Sequence, residues 1–180
     1  VVLDALNHIK DHLDATLSYR WSCHMAVCGS CGMMINGEPK LSCHAFLRDY
    51  RHRVITIEPL DHFPIERDLV IVMDSFMEKL SSVKPYVISK EEKPLSDGEH
   101  LQTPLQLMAF KQYTQCINCL LCYAACPQCG LNEKFVGPAA QGLRVIDAVE
   151  PPERPLGEAI VCAERDLATA NLAQANAALR

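Results

Sequence analysis

The chain has 180 residues, is 49% hydrophobic, carries a formal net charge of −5 and contains ten cysteines. The acidic balance gives no electrostatic reason to expect nucleic acid as a partner, and no run of about 18 apolar residues is present to span a membrane. The cysteines gather in two clusters, a pattern of metal ligands rather than of a disulfide framework.

The sequence starts on Val1, inside what reads as a helix. It is therefore expected to begin after its natural N-terminus, with room for a targeting segment upstream. Val2, Leu3, Leu6, Ile9 and Leu13 form a helical stripe, with Asp4, Lys10, Asp11 and Asp14 between them, which predicts an amphipathic helix over 2–13. His8 and His12 lie four apart on it, but no acidic or cysteine partner completes a metal site there, so they read as a solvent face.

Next come Cys23, Cys28, Cys31 and Cys43, separated by four, two and eleven residues. This is the plant-type ferredoxin spacing for a [2Fe–2S] cluster. Each iron takes two thiolates, so three close cysteines must curl round one side of the group. Gly29 and Gly32 are expected to supply positive φ in that tight loop, and Ser22, Ala26 and Ser30 are small enough for the backbone to come close. Asn36-Gly37 predicts a tight hairpin turn that returns Cys43 to the loop. Zinc is the alternative, since both short spacings occur in zinc sites. Zinc ligands more often come as two separated pairs, and disulfides suit a crowded triplet less well.

Met33-Met34-Ile35 and Lys40-Leu41 predict strands around that turn, and the β-branched run 53–58 predicts another, ended by Pro59. A helix on a small sheet with a cluster loop at its edge is a β-grasp outline lacking its opening hairpin. Leu69, Met73, Phe76, Leu80 and Val83 predict a second helix over 69–83, with Asp68 as its cap. Pro85, Pro94 and Pro104 punctuate a charged stretch read as a connector.

The second cluster, Cys116, Cys119, Cys122 and Cys126 followed by Pro127, has the C-x₂-C-x₂-C-x₃-C-P spacing of bacterial ferredoxins. Three of these thiols can cap a cubane from one loop, while the fourth serves another cluster. Pro127 is expected to turn the chain away at this point. Two ferredoxin motifs of different type on one chain suggest a wire for single electrons, with no substrate-converting residue of its own. The fold class expected is α+β: a β-grasp plant-type ferredoxin domain over 1–84, a connector over 85–104, an incomplete small helical bacterial-ferredoxin-like domain over 105–140 and a divergent tail over 141–180.

Further stretches extend these motifs: Ser18-Tyr-Arg-Trp-Ser-Cys23, Cys28-Gly-Ser-Cys-Gly-Met-Met34, Phe46-Leu-Arg-Asp-Tyr50, Phe63-Pro-Ile-Glu-Arg-Asp-Leu-Val70, Lys84-Pro-Tyr86, Cys122-Tyr-Ala-Ala-Cys-Pro-Gln128, Gly130-Leu-Asn132 and Gly137-Pro-Ala-Ala140. Over about residues 2–140 the chain resembles the iron–sulfur subunits of the fumarate reductase and succinate dehydrogenase family. Cys31 at the third position and Tyr-Ala-Ala between Cys122 and Cys126 look more like fumarate reductase.

The resemblance implies that Cys23, Cys28, Cys31 and Cys43 hold a [2Fe–2S] cluster beside a flavoprotein (FAD) subunit. It implies that Cys116, Cys119 and Cys122 give three ligands to a [4Fe–4S] cluster, and that Cys126 gives one to a [3Fe–4S] cluster near a quinone. The implied traffic runs from menaquinol to the flavin, where fumarate is reduced to succinate, or the reverse in a succinate dehydrogenase. Membrane-anchor subunits would hold such a complex at the cytoplasmic face of the bacterial inner membrane. The quinone site is not identifiable from these residues.

The family's next cysteine-rich segment, which completes both larger clusters, has no counterpart after Gln141, where the tail becomes Ala-rich. The [2Fe–2S] site is therefore expected to form, and the second pair of clusters to be incomplete. The tail reads as a frameshift or misjoined product, or as a variant domain. A non-functional truncated product and a zinc-stabilised interaction module are the competing readings of the whole chain. Cys129 stands where the family has an aromatic residue and reads as a small apolar substitution or a surrogate ligand; Cys162 has no paired neighbours. Leu120 stands where glycine is common in the family.

Overall fold

In a computed structural model, residues 1–51, 54–86, 94–99 and 103–144 are described. Half of the connector and all of the tail beyond 144, including Cys162, lie outside them.

Helix α1 spans Val2–His12 and buries Val2, Leu3 and Leu6. It packs on a three-stranded antiparallel sheet in the order β2-β1-β3, made of β1 Gly32–Ile35, β2 Glu38–Leu41 and β3 Ile57–Glu58. The β1–β2 register pairs Ile35 with Glu38, leaving Asn36 and Gly37 as a two-residue turn with φ of 51° and 78°. That is the primed geometry expected from the dipeptide.

Successive side chains of a strand point to opposite faces, and β1 is buried on both. Met33 and Ile35 join Val2 and Leu6 of α1, whereas Met34 belongs to a second core with Leu60, Phe63 and Phe76. The sheet is thus the wall between two apolar layers.

The strand expected at 53–58 is paired only at Ile57–Glu58, with Arg53 outside the described residues. Strand β1 ends where the Asn36-Gly37 turn begins, so it offers no further ladder. Thr56 instead bonds to the turn: its N–H donates to Asn36 Oδ1 at 2.8 Å and its carbonyl accepts from the Asn36 N–H at 2.9 Å.

The helix expected at 69–83 forms only as α2, Asp74–Ser82. Its first part is taken by a hairpin of β4 Ile65–Arg67 and β5 Val70–Ile71. Asp68 is not a helix cap; it adopts φ +48° at the hairpin turn, and its carboxylate accepts from the Ser18 N–H at 2.8 Å. The apolar stripe is shared between two cores. Leu69 packs with Ile35 and Ile57, whereas Met73, Phe76 and Leu80 pack in the layer beyond Met34. The Leu69 N–H also donates to the Ser18 carbonyl at 3.1 Å, which ties the hairpin to the start of the first cysteine loop.

The later part is a set of short helices: α3 Pro104–Phe110, α4 Leu121–Ala124, α5 Pro127–Leu131 and α6 Pro138–Leu143. Thr103 caps α3, accepting from the Gln106 N–H while Gln106 Oε1 accepts from the Thr103 N–H, a reciprocal cap with Pro104 in the first turn. Phe110, Leu120, Tyr123, Phe135 and Leu143 enter the same core as Met34, Phe63 and Phe76. Tyr123 sits at its centre, its ring 4.8 Å from Phe63 and 6.1 Å from Phe76, and its hydroxyl accepts from Lys79 Nζ at 2.7 Å. The two cysteine-bearing regions therefore share one apolar core.

Candidate metal centre

The first cysteine loop, 23–31, is wound by three residues of left-handed conformation: His24, Ala26 and Gly29, with φ of 57°, 58° and 73°. This turns successive N–H groups inward. Those of Met25, Val27 and Cys28 reach Cys23 Sγ at 3.4, 3.4 and 3.3 Å. Gly32, expected to carry positive φ, instead begins β1 with no such angle, and Ala26 takes that part. Gly32 is required for a different reason. A Cβ there would lie 2.9 Å from the Cys119 carbonyl oxygen, so the first strand and the second cysteine loop touch backbone to backbone.

Cys43 reaches the loop by the route the hairpin dictates. The Ser42 N–H donates to the Cys31 carbonyl at 3.0 Å, and the N–H groups of Val2 and Leu3 donate to the carbonyls of Ala45 and Ser42 at 2.8 and 3.1 Å. The start of α1 thereby holds the Cys43 turn, and Leu3 packs with Cys31 and Cys43.

The thiols come as two pairs: the Cys28 N–H donates to Cys23 Sγ at 3.3 Å, and Cys31 and Cys43 are buried together against Leu3. Among the described residues no three His, Cys, Asp or Glu side chains gather round one point as ligands of a single ion. Cys28 and Cys43 have opposite electrostatics. The Ser30 hydroxyl, then backbone N–H groups of Cys23 and Ser30, hold the Cys28 thiol down to about 6. Burial pushes Cys43 up to about 11, with Cys31 adding and the Ala26 N–H opposing. Beside Cys43, Ser42 is fully buried and its hydroxyl has no hydrogen-bond partner. Sequence reasoning took Ser30 only for its small size and did not single out Ser42; their positions next to paired cysteines were the available signal.

The second loop follows a 3₁₀ turn at Tyr113–Gln115. Asn118 and Leu120 have φ of 52° and 66°, and Cys116 Sγ lies 3.4 Å from Asn118 Oδ1. Leu120, where glycine is common in the family, takes a left-handed conformation, at a cost of about 1–2 kcal/mol for a non-glycine residue. Its side chain is buried in the shared core, which offsets that by about 1.5–3 kcal/mol. Cys116, Cys119 and Cys122 are neighbours. Burial first, then Cys119 and Cys116, raise the Cys122 thiol although its residue keeps solvent contact, and an Ala139 N–H opposes.

Pro127 does not send the chain away. It occupies the first turn of α5, with Cys126 as the cap, a place where proline's fixed φ and missing N–H cost nothing. The helix carries Cys129 back beside Cys126. Cys129 is buried with Tyr123, Phe135 and Leu143, and burial, then Cys126, push its thiol up to about 12.

A cavity of about 170 Å³ lies beside the contact of the two loops, lined by Cys28 and Gly29 of the first, Ile117 and Cys119 of the second, and Leu60 and Ile71.

Residues 1–78 match a family model described as a 2Fe-2S iron-sulfur cluster binding domain. The chain is 56% identical over 142 residues to a fumarate reductase iron-sulfur subunit of Mycobacterium tuberculosis, a match covering 79% of this chain and 58% of that one. To the Escherichia coli O6:H1 fumarate reductase iron-sulfur subunit it is 56% identical over 139 residues, 77% of this chain and 56% of the other. A mitochondrial succinate dehydrogenase iron-sulfur subunit of Oryza sativa is 38% identical over 141 residues, 78% of this chain and 45% of the other. A chain of the Mycobacterium smegmatis Sdh1 complex in the apo form has the same fold, with a TM-score of 0.71 and 28% identity over 83% of this chain and 66% of that one. The chain spans less than two thirds of the length of these curated relatives.

Proposed function

We propose that this chain belongs, over its matched residues, with the iron–sulfur subunits of the fumarate reductase and succinate dehydrogenase family and relays single electrons between a quinol and a flavoprotein partner. The observation that carries the reading is the arrangement of Cys23 with Cys28 and Cys31 with Cys43 as two adjoining pairs. Two sulfide-bridged irons need two thiolates each, whereas a zinc ion needs four round one point.

The residues present fit such a group. Three N–H groups converge on Cys23 Sγ, and the Ser42 hydroxyl is buried without a partner beside Cys43. When bound, an iron–sulfur cluster supplies one-electron chemistry tuned by hydrogen bonds to sulfur, burial and charge. The chain's own residues do the rest. Cys23, Cys28, Cys31 and Cys43 hold a [2Fe–2S] group, Leu3 and Leu41 pack against the buried thiols to keep water out, and Ser30 keeps Cys28 ionised for ligation.

For the second loop, Cys116, Cys119 and Cys122 are proposed as three of the ligands of a [4Fe–4S] cluster, and Cys126 as one ligand of a [3Fe–4S] cluster, neither set being complete in these residues. The backbone contact of Gly29 and Gly32 with Cys119 keeps the two loops at short range, as a relay requires. No helix of the described residues is long and apolar enough to cross a membrane; membrane-anchor subunits are the partners that the resemblance to the family suggests. The identity to fumarate reductase subunits, 56% against 38% for the succinate dehydrogenase relative, favours fumarate reduction by menaquinol as the parent activity.

Low-temperature EPR of the anaerobically purified, reduced chain tests the reading, together with iron and acid-labile sulfide analysis. A [2Fe–2S] signal that disappears in Cys31→Ser is the expected result. Zinc without acid-labile sulfide overturns it and makes the chain a zinc-stabilised interaction module.

A further inference from the structure

The described thiol that the proposed function leaves unused is Cys129. It is buried, at 7% exposure, yet it does not stand alone. It lies one helical turn after Cys126, and its N–H donates to the Cys126 carbonyl at 3.1 Å. Cys126 itself is only partly buried. The turn is fixed by Pro127 at the start of α5. A backbone bond between residues three apart holds their Cα atoms within about 4.4–6.8 Å, the span a disulfide bridges without moving the chain.

We propose that Cys126 and Cys129 form a reversible disulfide that withdraws Cys126 from metal ligation. The oxidant class is a peroxide. The accessible Cys126 sulfur attacks one peroxide oxygen and becomes a sulfenic acid as the O–O bond breaks and water leaves. The Cys129 sulfur then attacks the Cys126 sulfur, the S–O bond breaks, and a second water leaves. Two thiols lose two electrons and two protons; hydrogen peroxide gains both and ends as two waters. A dithiol reductant returns the pair. Cys129 thus acts as the resolving thiol, which stops Cys126 from proceeding to irreversible oxidation. The consequence for metal loading rests on the ligand role proposed for Cys126; the disulfide does not.

The test uses the full chain, metal-free and reduced, treated with an equimolar amount of hydrogen peroxide. Free thiols are blocked with one alkylating reagent, the disulfide is then reduced, and the released thiols are labelled with a second reagent for fragment mass spectrometry. The expected result is loss of the mass of two hydrogens, restored by dithiothreitol, with the second label on Cys126 and Cys129. The second label on Cys116, Cys119 or Cys122, or no second label, overturns the proposal whatever metal the chain binds. Iron reconstitution of the same samples reads the consequence: the oxidised chain takes up less iron than the reduced chain, and Cys129→Ala abolishes the difference. Equal uptake by oxidised and reduced wild-type chain overturns the control of ligation.

Discussion

Gly29 and Cys119 meet backbone to backbone: a Cβ on Gly29 would lie 2.9 Å from the Cys119 Cα and 2.8 Å from the Ile117 carbonyl oxygen. The first loop also holds Gly29 at φ +73°. Gly29→Ala must meet both penalties, and is expected to cost about 2–4 kcal/mol in urea unfolding. Gly32→Ala meets the overlap with the Cys119 carbonyl alone and should cost about 1–3 kcal/mol. A neutral Gly29→Ala would show that the loops do not touch.

The thiols of the first loop should separate in alkylation kinetics of the metal-free chain, because the thiolate is the reactive form. Cys28, held down to about 6 by Ser30 first, should be modified at a rate that rises through pH 6 and then levels off. Cys43, pushed up to about 11 by burial, should resist until the pH approaches 11. In Ser30→Ala the Cys28 midpoint should move upward. An unchanged midpoint would remove Ser30 from the argument.

Ser42 carries a buried hydroxyl with no protein partner, and such a group costs about 1–3 kcal/mol. Ser42→Ala should therefore leave the metal-free chain as stable or more stable, by about 1 kcal/mol. If the hydroxyl donates to a bound cluster, the same variant should lose stability when loaded. The sign reversal between the two forms is the measurement, read from denaturant midpoints.

Phe76 is 2% exposed in the core that joins Met34 and Phe63 to Tyr123 and Phe135. Phe76→Ala should cost about 3–5 kcal/mol, with both cysteine regions lost in one transition. Two separate transitions, reported by probes at Trp21 and at α6, would mean that the shared core is not cooperative. Tyr123→Phe removes the acceptor of the Lys79 ammonium at 2.7 Å, which should cost about 1.5–3 kcal/mol.

Iron removal should distinguish the loops. Cys43→Ser is expected to lower iron and sulfide through the first loop while Cys119→Ser spares that signal. Loss of both signals in either variant would indicate folding failure, which the far-ultraviolet circular dichroism of the same samples reads directly.

Much of the local structure was legible in the residues. Asn36-Gly37 named its turn because the two dihedrals it needs are set within the dipeptide itself, and the stripe of α1 named a helix because its spacing is local. The cysteine spacings placed two thiol-rich loops, because the residues of each loop are close in sequence. The 69–83 stripe misled because half-buried Leu69 and buried Phe76 pack in different cores, and periodicity records burial without saying against what.

The sequence by itself determined that two thiol-rich loops of different type stand in a fixed order on a helix-and-sheet scaffold, since covalent spacing limits which thiols can meet one group. Tertiary structure alone decided that Gly32 is needed for Cys119, that Ser42 is buried beside Cys43, and that Pro127 returns Cys129 to Cys126. Those facts depend on contacts between backbones far apart in the chain, and on a proline whose effect reverses between the middle and the start of a helix, which no window of neighbouring residues encodes.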